Sequence, residues 1–123
     1  MGFHLMVFSK EVAPSTKSEF TTWFEQETDW NSDLDYNDPD NAVPELRNWF
    51  MEIIKLFPPM NGSLASEDVD DDHVTDYSIG RNSVYMAFAW SVAEDAYETV
   101  LALAQKHGIG FYNPSSNEGE VIR

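Results

Sequence analysis

Leu46, Trp49, Phe50, Ile53, Ile54 and Phe57 recur at steps of three and four, and this apolar stripe constrains the fold more than any other feature. The spacing places all six side chains along one side of an α-helix, which must then rest on a second apolar surface. Prolines set its limits. Pro44 suits the first helical turn, where its missing N–H is not needed. Pro58-Pro59 stops the helix, because neither residue can donate to the ladder and Phe57 is pushed out of the helical region.

The surface for that stripe comes from shorter elements. Phe3 to Phe8 is an apolar run of strand length. After Pro14-Ser15, Thr16 and Glu19 have the spacing of a capping box and open a helix with an aromatic stripe of Phe20, Trp23 and Phe24, which Trp30 would extend. Val74 to Ile79 and Ser83 to Trp90 are rich in β-branched and aromatic residues around Gly80-Arg81-Asn82, a hairpin pattern. In its second strand Val84, Met86, Phe88 and Trp90 share one face. Tyr85, Ala87 and Ala89 share the other, where small residues suit a close-packed helix. Ser91 with Glu94 makes a second capping box, and Ala93, Ala96, Tyr97, Val100, Leu101 and Ala104 form the inward side of a third helix. Lys106 and His107 favour its negative end, and Gly108 supplies the left-handed terminator. Ile109 to Tyr112 is a further strand, with Glu120-Val121-Ile122 pairing back through a turn over Ser115 to Gly119.

These elements predict a single α+β domain over residues 1–123. It is a two-layer sandwich, three helices on one face of a mostly antiparallel sheet of four or five strands, in the order β-α-α-β-β-α-β. The sequence shows no internal repeat and no linker between two cores.

Charge separates the connections from the elements. Eight acids lie in a stretch free of Lys and Arg: Glu25, Glu27, Asp29, Asp33, Asp35, Asp38, Asp40 and Glu45. Six more lie in a second such stretch: Glu67, Asp68, Asp70, Asp71, Asp72 and Asp76. Much of the net charge of −15 is therefore expected on loops. The chain is nonetheless 42% hydrophobic and 14% aromatic, too apolar for a disordered acidic tail. So negative a chain is a poor ligand for nucleic acid or for an anionic membrane surface, and the partner it suits is a basic protein or a divalent cation. The absence of cysteine excludes disulfides and thiolate metal sites. The apolar N-terminus lacks a basic flank and a small-residue cleavage site, and no stretch nears the ~20 apolar residues of a membrane span. A soluble cytoplasmic protein is the expectation.

Motifs for chemistry are sparse. Asp33, Asp35 and Asn37 open like an EF-hand calcium loop, but Asp38 replaces the required Gly and Pro44 the bidentate Glu. His4, His73 and His107 are scattered and match no zinc pattern. There is no G-x-S-x-G, and the glycines are too dispersed to cradle a phosphate. We therefore expect no catalytic set, no metal site and no cofactor. Trp30 and Tyr36 differ from the other aromatic residues in lying among acids, the composition of an interface anchor with a charged rim. The candidate partner-binding residues are Asp29, Trp30, Asp33, Asp35, Tyr36, Asp38, Asp40, Glu67, Asp68, Asp70, Asp71 and Asp72.

Phe57-Pro58-Pro59-Met60-Asn61-Gly62, the segment Val74 to Arg81, Phe88-Ala89-Trp90-Ser91 and the segment Lys106 to Phe111 together resemble a group of small, acidic, functionally uncharacterised bacterial proteins. In overall character the chain is similar to immunity proteins of bacterial toxin systems, which are small, cysteine-poor and strongly acidic. That similarity implies an inhibitor that neutralises a cationic toxin, such as a nuclease, through its acidic loops. Two alternatives stand beside it: a small metal-dependent enzyme or cation-binding domain using the same loops, and an acidic adaptor without a catalytic role. A homodimer is compatible with each.

Overall fold

One strand buried on both faces organises the molecule. The computed structural model describes residues 3–27, 36–60, 72–114 and 120–122. Strand β1 (Phe3–Phe8) lies at the centre of a five-stranded sheet, with Leu5, Met6, Val7 and Phe8 all fully buried. Its near-continuous apolar run is the pattern of a strand covered on both sides, since successive side chains point to opposite faces.

The other strands are β2 (Asp76–Ile79), β3 (Ser83–Phe88), β4 (Gly110–Asn113) and β5 (Glu120–Ile122), in the spatial order β2-β3-β1-β4-β5. Every neighbouring pair is antiparallel. Phe3 stands opposite Phe88 at one end of β1, while Phe8 stands opposite both Ser83 and Gly110 at the other. The α+β class, the element order and the final short strand all match the sequence expectation.

The helices are α1 (Lys17–Glu27), α2 (Pro44–Ile53) and α3 (Ala93–His107), and they divide between the two faces. Helices α2 and α3 cover the side of the sheet that carries Leu5, Val7, Val84, Met86, Phe88 and Phe111. Leu46, Trp49, Phe50 and Ile53 descend from α2, and Ala96, Val100 and Ala104 from α3. Buried Trp49 donates its indole N–H to the Val100 carbonyl at 3.5 Å, tying the two helices together. Helix α1 takes the reverse face instead of joining them. There Phe8 meets Phe20 at 5.1 Å and Trp23 at 5.9 Å between ring centroids, and Phe24 meets Tyr85 and Tyr112. The close-packed helix expected over the Tyr85 side of β3 is thus α1.

The caps and ends differ in detail. Thr16 Oγ1 accepts from the Glu19 N–H at 3.4 Å, as the capping box requires. Ser91 does not cap α3: Trp90–Val92 forms a 3-10 turn ahead of the helix, and the Ser91 hydroxyl is used elsewhere. Gly108 ends α3 at φ 69°, the left-handed conformation foreseen. Helix α2 stops at Ile53, yet Phe57 stays buried because its N–H returns to the Ile53 carbonyl at 2.9 Å. Strand β3 ends at Phe88, so Trp90 leaves the face it was expected to share with Val84 and Met86 and becomes 63% exposed.

At Gly110 the backbone of β4 runs directly against the ring of Phe8. A Cβ built there would stand 2.3 Å from two ring atoms, and Phe8, fully buried beneath Phe20 and Trp23, has no space to retreat. Gly110→Ala should therefore cost about 1–3 kcal/mol of unfolding free energy, read as a lower denaturation midpoint. An unchanged midpoint would show that the strand shifts to admit the methyl.

Candidate functional site

An edge strand exposes a row of backbone groups that need partners, and both acidic stretches are rooted on the outer edge of β2 for that reason. The first stretch leaves α1 at Glu27, whose Oε1 accepts from the Ser83 hydroxyl at 2.9 Å. It returns at Tyr36, whose carbonyl accepts from the Ile79 N–H at 2.7 Å. Asn41 then donates its side-chain amide to the Ile79 carbonyl at 3.0 Å, and the Val43 N–H donates to the Arg81 carbonyl at 3.0 Å. Between them Asp38 caps a 3-10 turn, Pro39–Asn41, its Oδ1 accepting from the Asp40 N–H at 2.9 Å.

The second stretch is anchored four residues further back along the same edge. The Thr75 N–H donates to the Pro58 carbonyl and the Met60 N–H to the Thr75 carbonyl, both at 2.8 Å. Tyr77 is buried beneath and donates its hydroxyl to the Phe57 carbonyl at 2.8 Å, fixing the exit from α2. Burial pushes that phenol far above its ordinary value, so it remains a donor. Asp72 Oδ2 accepts from the Ser91 hydroxyl at 3.0 Å, which pins the return. Thr75 and Ile79 lie ~13 Å apart at the usual rise of a strand.

Tyr36, Asp38 and Asp40 therefore gather at the turn end of the β2–β3 hairpin, and Asp72 sits at the opposite end of β2. Half-buried Tyr36 belongs to the cover of the sheet edge. Asp29, Trp30, Asp33, Asp35, Glu67, Asp68, Asp70 and Asp71 lie outside the described residues, as does the start of the EF-hand-like motif.

The two ends differ in counter-charge. Exposed Lys10 follows Ser9, whose N–H donates to the Asn82 carbonyl at 2.9 Å. Arg81 is in the hairpin turn itself, and Arg47 donates from Nη2 to the Ala42 carbonyl at 3.2 Å, next to Val43. Three cations thus surround the root of the first stretch. The opposite end holds Asp72 and Asp76, with Glu94 and Asp95 in the first turn of α3. No Lys or Arg occurs between Lys55 and Arg81 or between Arg81 and Lys106. Trp90 precedes Ser91, which bonds to Asp72, and its ring lies 5.5 Å from that of Phe3. Reading Trp90 as the end of a strand face with Val84, Met86 and Phe88 missed it. The helix-start pattern at Ser91 was the available signal, because a strand must end before the helix turn begins.

A separate cluster joins α2 to α3. Glu52 takes Lys106 Nζ and His107 Nε2, each at 2.6 Å. The hydrogen bond from Lys106, then that from His107, holds the Glu52 carboxyl below its ordinary 4.5. Among the described residues no three His, Asp or Glu side chains are grouped to hold a metal ion. A shallow groove on the outer side of α1, lined by Pro14, Ser18, Glu19, Thr22, Trp23 and Gln26, offers one titratable group, Glu19. No helix among the described residues is long and apolar enough to cross a membrane. Comparison with known protein families, curated proteins and solved structures finds no match to this chain.

A carboxyl depressed in the folded state stabilises the fold above its unfolded pKa and loses that contribution as pH falls through the folded value. Glu52→Gln should therefore lower the urea midpoint at neutral pH, modestly and less so in high salt because the pair is exposed. The gap to the parent should narrow as the pH drops below 4.5. A gap that stays constant from pH ~7 to ~3 would separate Glu52 from the pH dependence of stability.

Proposed function

We propose that this protein binds a basic protein through the acidic edge built on β2, in the manner of an immunity protein that occupies the cationic cleft of a toxin domain. One observation carries the reading: the fourteen of 22 acids that fall in two stretches without Lys or Arg belong to connections whose described ends, at Tyr36 and Asn41 and at Pro58 and Met60, bond to the outer edge of one strand. Like charges clustered in short stretches of chain repel each other, a cost that an oppositely charged partner relieves. A toxin that handles a polyanion such as nucleic acid needs a basic cleft, and a carboxylate-rich edge competes for the same cleft. Long-range attraction speeds encounter and sets orientation, while apolar anchors slow release. Inhibition of this kind requires no bond to be made or broken by the inhibitor.

The test is capture of the binding partner from the native cell, followed by kinetics with both purified proteins. The partner should be basic, and its association rate should fall steeply as salt rises. Replacing Asp38, Asp40 and Asp72 by Asn keeps the local hydrogen-bond acceptors and removes three charges, and should slow association about tenfold at low salt. An acidic or neutral partner, or an association rate indifferent to salt, would sink the proposal.

A further inference from the structure

We propose that Trp90 anchors a docking surface for an arginine-bearing basic protein segment, one guanidinium lying over the indole while neighbouring cations face Asp72, Glu94 and Asp95. This deepens the reading of the acidic edge as a binding site for a basic protein, and it rests on that reading. Four large apolar side chains are strongly exposed among the described residues: Val12 at 47%, Met51 at 43%, Leu56 at 57% and Trp90 at 63%. Trp90 is the largest and the most open. It is also held in place, by the 3-10 turn between β3 and α3 and by the Phe3 ring 5.5 Å away. A side chain fixed before binding loses little conformational entropy when a partner covers it, which is the physics of an aromatic anchor.

Charge decides what covers it. Asp72 is bonded to Ser91, the residue next to Trp90, so at least one carboxylate is held at the same turn of the chain. Glu94 and Asp95 follow within about one helical turn, both exposed. Arg81, which alone breaks the run of residues without Lys or Arg from Lys55 to Lys106, is at the far end of the hairpin. An apolar occupant would bury these carboxylates without partners, at a desolvation cost it could not recover. A second copy of this chain would bring the same charge of −15. Arginine suits both parts of the surface, because its guanidinium stacks flat on an indole and pairs with carboxylates while giving up hydration more readily than an ammonium.

The probes are an oligo-arginine and an oligo-lysine peptide of equal length, titrated into the isotope-labelled full chain at low salt. The indole N–H resonance of Trp90 should shift on addition, and the arginine peptide should bind more tightly than the lysine peptide. Trp90→Ala should weaken arginine-peptide binding about fivefold, and Trp90→Phe by less. Both variants should keep the parent's thermal midpoint closely, since the indole is mostly exposed. Unchanged affinity in Trp90→Ala, with weakening by Asp72→Asn and Glu94→Gln, would overturn the anchor and leave the acidic edge standing. Failure of both peptides to bind would overturn both readings. A dimer of the parent chain that Trp90→Ala disperses would replace the basic segment with a second copy.

Discussion

The outward-facing backbone of β2 must find partners, and that requirement ties down the connections that carry the acids. Ile79 is satisfied by Tyr36 and Asn41, and Thr75 by Pro58 and Met60. Each partner flanks or belongs to a connection rich in carboxylates. The hydrogen bonds that keep this edge from pairing with a foreign strand also fix Tyr36, Asn41 and Met60, which border or belong to those connections.

Much of this fold was legible because its elements are strongly patterned. The start of α2 at Pro44, the strand over Phe3–Phe8, the hairpin around Gly80 and the terminator at Gly108 stand where periodicity and turn chemistry put them, while α2 ends at Ile53, short of the Phe57 expected to close it. What escaped was set by non-local contacts. Nothing in the spacing of Phe20, Trp23 and Phe24 says which face of the sheet α1 will choose, because the selecting rings, Phe8, Tyr85 and Tyr112, come from three separate strands. Ser91 had the local chemistry of a helix cap, and Asp72, nineteen residues earlier in sequence, took its hydroxyl instead. Trp90 was misplaced for a related reason. Strand alternation was extended two residues too far, across the point where the chain turns into α3.

The candidate site was legible as composition and not as geography. Sequence alone identified the acids and treated the two stretches as equivalent. The fold distinguishes them, since Lys10, Arg47 and Arg81 lie in segments that bond at or next to the root of the first, whereas Asp72 of the second is bonded to Ser91 beside Trp90 in the chain. Charge–charge attraction near a protein surface is screened over roughly 8–10 Å in ordinary salt, so the placement of a few cations decides which acids act outward. A count of −15 hides that asymmetry.

The sheet's two coverings are unequal, and this bears on how the molecule opens. On the α2–α3 side a large cluster interlocks, with Trp49 bridging the helices. On the α1 side the fully enclosed residues among those described are Met6, Phe8 and Phe20, with the rest of the contact made by half-buried side chains, most of them rings. Regions that hide less apolar surface separate at lower free energy than the whole. Amide protons of α1 should accordingly trade with deuterium ahead of those in β1, giving the domain an outer leaf that can lift while the remaining layers stay closed.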